Sequence, residues 1–369
     1  MNQIHDMTPT TDHKRVVVAM SGGVDSSVAA ALLKERGFEV IGVTLKLQPQ
    51  NPAADTKSCR TFDGTSRARA VADILQIPHH VIPCEKEFED AVLKPAWTEY
   101  ASGRTPSPCL WCNERIKFGL LVDWAQSIGV DGVATGHYAQ IDDDDGSPIL
   151  LRAIDRNKDQ SYFLARLTAA QLRHVVFPIG DLHKQDVRAA ARRFELPNAE
   201  QTESQDACLV AAGDSFAEAL RQRFRGTARP GAIVDRSGKI VGHHEGIHRF
   251  TIGQRQGLQI ASPTRSWVSG IESNSGTIRV TNQEQDLITR NLVTTETCWV
   301  GHTPDTWPLA CEVQVRYRHA PVPAEVEPLG PGSVRVALKT GVRAITPGQA
   351  AVFYRGERVL GSGWISATA

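Results

Sequence analysis

Two groups of residues in this 369-residue chain have types and spacings suited to chemistry. The first is the stretch "VVVAMSGGVDSSVAAALL", Val16 to Leu33. Val16 to Ala19 is apolar and β-branched, which predicts a short buried strand. Ser21, Gly22 and Gly23 follow, then Val24, Asp25, Ser26 and Ser27. Val28 to Leu33 is rich in Ala and Leu and predicts a helix, with Gly37 as its stop. Glycines in such a turn let the backbone approach an anion closely. The helix start offers unpaired N–H groups and the positive end of its dipole. Ser21, Ser26 and Ser27 add hydroxyls. The stretch holds neither G-x-x-x-x-G-K-S/T nor G-x-G-x-x-G, so neither a Walker-type NTPase nor a dinucleotide fold is indicated.

The second group is the cysteines. Seven are present: Cys59, Cys84, Cys109, Cys112, Cys208, Cys298 and Cys311. The odd count, in a chain with no export signal, points to a reducing compartment and to thiol chemistry or metal rather than a disulfide scaffold. Cys84, Cys298 and Cys311 sit in or beside apolar strand-like stretches and read as small core residues. Cys59 lies in a polar stretch and is assigned nothing. Cys109 and Cys112 form a C-x-x-C pair with no second pair to complete a zinc site. The thioredoxin-like context of a dithiol redox pair is absent as well. Cys112 precedes a helix expected from Asn113 to Gly129, whose N-terminus would raise its thiolate fraction. A structural and a reactive pair both remain open on this spacing alone.

These groups need elements to position them. In the first half, strand-like and helix-like stretches alternate. "FEVIGVTLKL", "HHVIPC" and "VDGVATGHYAQI" read as further strands. "TSRARAVADILQI" reads as a helix capped by Thr65 or Ser66. That order predicts an α/β domain with a parallel sheet and helices on both faces, where ligands bind beyond the carboxyl ends of the strands. The glycine loop, Leu45 and Ala134 to His137 all fall at such ends. "DDDDG", Asp142 to Gly146, reads as an exposed hairpin turn rather than a metal site. Beyond about residue 205 the segments become short, alternating and glycine-punctuated, which predicts a small β-rich domain and then a barrel. The expected domains are 1–210, 211–275 and 276–369.

Bulk properties narrow the classes. Hydrophobic residues make up 41% and charged residues 22%, as in globular proteins. No apolar run is long enough to span a membrane, and no apolar signal core opens the chain, so a cytoplasmic location is expected. Lys plus Arg and Asp plus Glu number 41 each, so any polyanion must be bound through local patches.

Taken as a block, "SGGVDSS" resembles the pyrophosphate loop of the ATP pyrophosphatase (PP-loop) superfamily. Those enzymes cleave ATP between its α and β phosphates and place AMP on a carbonyl-type oxygen. The absent lysine is consistent with a loop that cradles departing pyrophosphate. "SGGVDSS", "GRTPSP", "CNERIKF", "ATGHYA", "KDQSYFL", "TIGQRQGL", "RYR" and "TPGQAAVFY" then occur in the order typical of the tRNA-specific 2-thiouridylase family. The resemblance runs from about Arg15 to near the C-terminus. It implies a nucleotide-binding α/β domain, a small central domain and a C-terminal β-barrel. It implies ATP-dependent 2-thiolation of the wobble uridine of tRNA, with Mg2+, a persulfide sulfur donor such as a cysteine desulfurase or relay protein, and no membrane partner.

Residue by residue, the resemblance places Cys112 as the catalytic cysteine and Cys208 as the persulfide carrier. Ala19, Met20, Ser21, Gly22, Gly23, Val24, Asp25, Ser26, Leu45 and Gly136 fall on ATP-contacting positions, with Asp25 the candidate for magnesium. Ser107, Pro108 and Cys109 fall where the target base is approached. His137, Lys158, Asp159, Gln160, Arg316, Tyr317 and Gln349 fall on tRNA-contacting positions. Many members carry Asp where this chain has Cys109, and "SQDAC" here replaces "STGIC" before the second cysteine. Cys109, Cys112 and Cys208 could instead converge on an iron–sulfur cluster, the less favoured route. An amidating ligase of the same superfamily would need neither Cys112 nor Cys208. A binding protein without activity would not need an intact loop.

Overall fold

A computed structural model of the chain describes residues 15–48, 60–201, 215–260 and 265–368. Cys59 and Cys208 lie outside the described residues. The chain divides into two compact units. One comprises residues 1–91, 109–207 and 357–360, and the other residues 92–108, 208–356 and 361–369.

The first unit is built on a parallel sheet. Its strands are β1 (Arg15–Ala19), β2 (Glu39–Lys46), β3 (His79–Pro83), β4 (Gly132–Thr135) and, further along the chain, the two-residue β7 (Val175–Val176). The spatial order is β3-β2-β1-β4 and then Val175–Val176, all parallel. Val16 and Val18 of β1 point into one core, with α1 (Val24–Glu35), α2 (Arg60–Ile74) and the later helix Lys184–Arg193. Val17, between them, points into the other, with Leu121, Val122 and Ala125 of the helix Leu121–Ser127. Alternate residues of one strand thus serve two layers of helix, and the strand reads as a continuous apolar run.

Helix α1 ends as expected. Gly37 has φ 87°, and its N–H and that of Phe38 donate to the carbonyls of Lys34 and Leu33. This double cap requires the left-handed conformation that glycine adopts without strain.

Four expectations need correction. Helix α2 begins at Arg60, so Thr65 and Ser66 lie inside it and do not cap it. "VDGVATGHYAQI" is not one strand: β4 stops at Thr135 and β5 (Ala139–Asp144) turns away to pair antiparallel with β6 (Ser147–Arg152). Gly136 and His137 form the break. The acidic run does make the hairpin, but Asp142 to Asp144 are strand residues and the turn is Asp145–Gly146. Finally, no helix starts at Asn113. The helical run begins at Pro108, passes through a π-helical stretch at Cys112–Leu120 and ends with Leu121–Ser127. Proline suits the first turn of a helix because its missing N–H would have no acceptor there.

The second unit holds the β-rich parts. A four-stranded sheet combines β8 (Gly231–Val234), β9 (Ile240–His244), β10 (Trp267–Glu272) and β11 (Thr277–Thr281) in the order β10-β11-β8-β9. Ile233, Ile247, Phe250, Leu258, Val268 and Ile278 form its core. The last six strands are β12 (Ile288–Trp299), β13 (Leu309–Gln314), β14 (Val322–Gly330), β15 (Ser333–Arg343), β16 (Ala350–Arg355) and β17 (Arg358–Thr368). They run β12-β15-β14-β13-β16-β17, and β12 pairs with β17 to close an antiparallel barrel. Closure leaves no open edge. Among the described residues no helix is long and apolar enough to cross a membrane.

Candidate functional site

The loop after β1 is held open by its own hydroxyls. Ser26 Oγ donates to the Gly23 carbonyl (3.0 Å) and accepts from the Ser21 N–H (3.2 Å). Ser27 Oγ donates to the same carbonyl at 2.9 Å. Gly22 sits at φ 78°, against the Gly64 backbone of α2, where a Cβ would collide. The first intrahelical bond runs from the Ser27 N–H to the Gly23 carbonyl (3.2 Å). The amides of Val24, Asp25 and Ser26, ahead of it, have no intrahelical acceptor, which is the arrangement that suits an anion.

The cradle is braced from behind. Buried Asn198 donates from Nδ2 to the Gly22 carbonyl (3.0 Å) and to Ser27 Oγ (2.9 Å). The Gly22 peptide therefore cannot flip without breaking a buried bond. Gly136 closes the other flank: a Cβ there would lie 2.5 Å from the Ser26 nitrogen and 2.6 Å from the Asp25 carbonyl carbon. Only glycine fits, which gives the expected nucleotide residue Gly136 a packing reason. Ala19 and Leu45 are half-buried at the ends of β1 and β2, and Met20 and Val24 are buried.

Asp25 is not a solvated loop carboxylate. Its Oδ1 accepts from Tyr138 Oη at 2.9 Å and from Lys184 Nζ at 2.6 Å. Tyr138 is fixed by Gln160, whose Oε1 accepts from the Tyr138 N–H (2.9 Å) while its own N–H donates to the Tyr138 carbonyl (2.8 Å). Lys184 opens its helix, with its backbone N–H donating to Asp155 Oδ2 (3.0 Å). For magnesium, Asp25 offers one carboxylate. That fits an ion whose remaining ligands are phosphate oxygens and water.

Cys112 is the first residue of the π-helical stretch, where the Leu121 N–H reaches the Ile116 carbonyl five residues back. Such stretches are rare and need outside support. Gln171 supplies it, donating from Nε2 to the carbonyls of Glu114 (2.8 Å) and Phe118 (3.0 Å). Arg166 Nε bridges both Glu114 carboxylate oxygens at 3.1 and 3.2 Å. Asn113 Nδ2 donates to the Phe163 carbonyl (2.9 Å). Cys112 is thus inside a helical run and not at its start, and the expected dipole effect on its thiol does not apply. Cys109, one residue into the run, occupies the first turn instead. Both are half-buried. Cys84 is free and fully buried, and burial pushes its thiol up to about 12, with lesser pushes from Glu85, Glu87 and Cys112. It stays protonated, as a core residue. Burial likewise pushes Cys311 up to about 12.

His137 packs on Phe118 and Phe177 and bonds through Nδ1 to Thr135 Oγ1 (2.7 Å). Burial, and then the Lys117 charge, hold its imidazole well below the usual range, so it is neutral at pH 7. Asp159 is turned inward. Its oxygens accept from the N–H groups of Ala153 and Ser161, from Ser161 Oγ and from Arg152. Lys158 is half-buried beside it.

In the second unit, three of the quoted motifs converge. Gln349 Nε2 donates to the carbonyls of Thr105 (2.9 Å) and Pro106 (3.1 Å), and Thr105 Oγ1 meets Thr251 Oγ1 at 3.0 Å. The Thr105 N–H donates to the Pro347 carbonyl (3.0 Å). Gln349 therefore shapes the segment leading to Ser107, which is buried, and Pro108, which is half-buried. Arg316 is exposed, and Arg318 lies over the half-buried Tyr317 ring.

Among the described residues, no group of three or more His, Cys, Asp or Glu is placed to hold a metal. Cys208, the third thiol of the cluster alternative, lies outside them. The sequence reading missed Tyr138, Lys184, Asn198 and Gln171. Tyr138 at least sits inside the quoted "ATGHYA". The other three carry no spacing or composition signal, because each acts across a long sequence separation.

Family models match residues 14–212, described as a tRNA methyl transferase HUP domain, 220–282, described as a tRNA methyl transferase PRC-barrel domain, and 289–365, described as an aminomethyltransferase beta-barrel domain. The chain is similar to the tRNA-specific 2-thiouridylase MnmA of Geobacter metallireducens, 44% identical over 363 residues, covering 96% of this chain and 97% of that protein. It is also 44% identical over 358 residues to the protein of the same name from Magnetococcus marinus, covering 96% and 99%.

Proposed function

The chain belongs to the tRNA-specific 2-thiouridylase family, and from that premise we propose that it uses ATP to replace the C2 oxygen of the wobble uridine of tRNA with sulfur. The observation that carries this reading is the braced loop at Ser21–Ser27. It offers neutral donors to an anion and holds no lysine of its own. Methyl transfer, named in the family-model descriptions, releases no pyrophosphate and gives this loop nothing to hold.

The chemistry runs in two stages. The uracil C2 oxygen attacks the α-phosphorus of ATP, and pyrophosphate leaves with the bonding electron pair. The C2 oxygen, now part of an AMP ester, has become a good leaving group. The loop amides and hydroxyls stabilise the charge on the departing pyrophosphate, and Mg2+, held in part by Asp25, supplies further charge neutralisation when bound. The terminal sulfur of a persulfide on Cys208 then attacks C2 and AMP departs. Cys112 thiolate attacks Cys208 Sγ, which frees the 2-thiouridine and leaves a Cys112–Cys208 disulfide for an external thiol to reduce. Alternatively, Cys112 first releases hydrosulfide from the persulfide. Either way the base must leave its stack to reach the thiols.

In this reading residues 1–210 bind ATP, 211–275 form the central domain and 276–369 contact tRNA. His137, neutral and half-buried, suits contact with an uncharged base better than with phosphate. Lys158, Arg316 and Tyr317 would meet the RNA directly. Asp159, Gln160 and Gln349 would act by shaping the segments beside it.

The test uses purified protein with tRNA, ATP and a persulfide donor, following AMP and 2-thiouridine. Cys112→Ser and Cys208→Ser should each abolish 2-thiouridine while AMP formation with tRNA persists. AMP formation that ignores tRNA points to another ligase. Stoichiometric iron and sulfide after anaerobic purification, with activity lost in Cys109→Ser, replaces the persulfide route by a cluster.

A further inference from the structure

Met20 joins β1 to the glycine loop, and it is only 2% exposed. Whatever it offers a nucleotide must therefore come from its backbone. Its N–H is taken by the Val43 carbonyl of β2 (2.7 Å). Its carbonyl accepts from Thr44 Oγ1 at 2.8 Å, in a buried bond, and keeps one lone pair for a further donor. A carbonyl oxygen has nothing to give a phosphate, but it suits an N–H or O–H group. The unpaired amides that suit phosphate lie further on, at Val24 to Ser26. Met20 thus belongs with the nucleoside half of the ligand, and the loop with its phosphates.

Thr44 is itself held. His79 opens β3 opposite Gly42 of β2, and its Nε2 stands 2.9 Å from Thr44 Oγ1. A hydroxyl carries one proton, and here that proton goes to the Met20 carbonyl. His79 Nε2 must therefore carry the hydrogen of the second bond. Nδ1 is buried and has no hydrogen-bond partner among the described residues, so a proton there would find no acceptor. The imidazole is accordingly the neutral Nε2–H tautomer. Burial, and then the Arg69 and His80 charges, lower its pKa against the opposing charge of Asp73. Gly42 makes room for the arrangement: a Cβ there would lie 2.7 Å from Met20 Sδ and 3.3 Å from His79 Cδ2. One line of donors, His79 to Thr44 to Met20, thus ties β3, β2 and the end of β1 together.

We propose that His79 is a positioning residue for nucleoside recognition, acting through Thr44 to fix the Met20 carbonyl as acceptor for an N–H or O–H donor of the nucleoside. It rests on the ATP reading above. The role needs a directional donor and no charge. With Nε2–H in place, the threonine hydroxyl has one acceptor left, the Met20 carbonyl. Without it the hydroxyl is free to rotate, and the carbonyl loses its fixed partner.

AMP and pyrophosphate binding, each with MgCl2, read the two halves of the site apart. His79→Leu should weaken AMP binding about fivefold, as loss of one hydrogen bond does, and leave pyrophosphate binding within about twofold. His79→Gln, whose amide can donate from a similar place, should recover most of the loss. Thr44→Val should also weaken AMP selectively, and the double variant with His79→Leu should lose no more than Thr44→Val alone. The donor is read from analogues. A His79→Leu effect that vanishes with inosine monophosphate places the base amino group on Met20, and one that vanishes with 2′,3′-dideoxy-AMP places a ribose hydroxyl there. An effect that survives both analogues overturns the assignment. Equal loss of AMP and pyrophosphate, additive losses in the double variant, or wild-type AMP affinity in His79→Leu would overturn it too. If the unaltered protein binds neither AMP nor ATP and makes no AMP with tRNA, the nucleotide reading itself has failed, and the assignment falls with it.

Discussion

Asp25 concentrates several demands on one carboxylate. It accepts from a phenol and an ammonium and lies in the first turn of α1, where a negative charge is favoured. Asp25→Ala should abolish tRNA-dependent AMP formation while the far-ultraviolet circular dichroism stays native, because the side chain is partly exposed and its loss opens no core cavity. Normal AMP production by this variant would remove Asp25 from the nucleotide site. Gly22 is constrained differently. Its φ of 78° and its contact with Gly64 leave no room for a Cβ. Gly22→Ala should cost about 1–3 kcal/mol of stability and lose ATP affinity as well, because relief of the clash must move the amides of the cradle. Calorimetry and nucleotide titration on the same sample would show whether the two losses travel together.

Elements explain why some of this was legible in the sequence and some was not. The strand, glycine turn and helix at Val16–Leu33 are local, and each residue there agrees with its neighbours, so the order could be read directly. The environment of Cys112 could not. Its helical run starts at Pro108, and its π-helical stretch depends on Gln171, whose side chain arrives from more than fifty residues away. No local pattern in "CNERIKF" encodes that support. The break at Gly136–His137 was hidden likewise, because "VDGVATGHYAQI" alternates well enough to pass for one strand. Gln171→Leu should therefore destabilise the first unit by about 1–3 kcal/mol, since two buried carbonyls lose their donor. It should also change the alkylation rate of Cys112 while that of Cys109 stays constant. Unchanged Cys112 reactivity would mean that the stretch holds its form without Gln171. In the second unit, Glu218 lies in the first turn of the helix Phe216–Arg223 and gathers Arg221, His248 and Arg249. The Arg221 hydrogen bond, followed by that from His248, holds its carboxyl far below the usual range, against the opposing effect of burial. A depressed folded pKa adds stability above the unfolded value of about 4.3 and loses it as pH falls through the folded one. Glu218→Gln should accordingly lower the melting temperature most near neutral pH, with the gap from wild type closing below about pH 4. A gap of constant size across that range would count against the ionised cluster.

For the molecule as a whole, the equality of 41 basic and 41 acidic residues limits how a tRNA could be bound. No general positive field is available, so affinity must come from a small number of placed cations. The surface ion pairs consume many of the arginines: Arg192 with Glu200, Arg193 with Glu35, Arg279 with Glu272 and Arg358 with Asp144. Arg316 is an exposed arginine of the barrel unit that follows β13 directly, with its carbonyl taken by the His319 N–H and by Gln314 Nε2. Its backbone is pinned, which aims the side chain at low entropic cost. Lys158 belongs to the other unit, at the turn closed by its N–H and the Asp155 carbonyl. If each meets one phosphate, Arg316→Ala and Lys158→Ala should each weaken tRNA binding and reduce the slope of log K against log salt by about one. Affinity and slope that stay at wild-type values in both single variants would take these residues off the RNA surface. A slope that falls for one alone would assign tRNA contact to that unit.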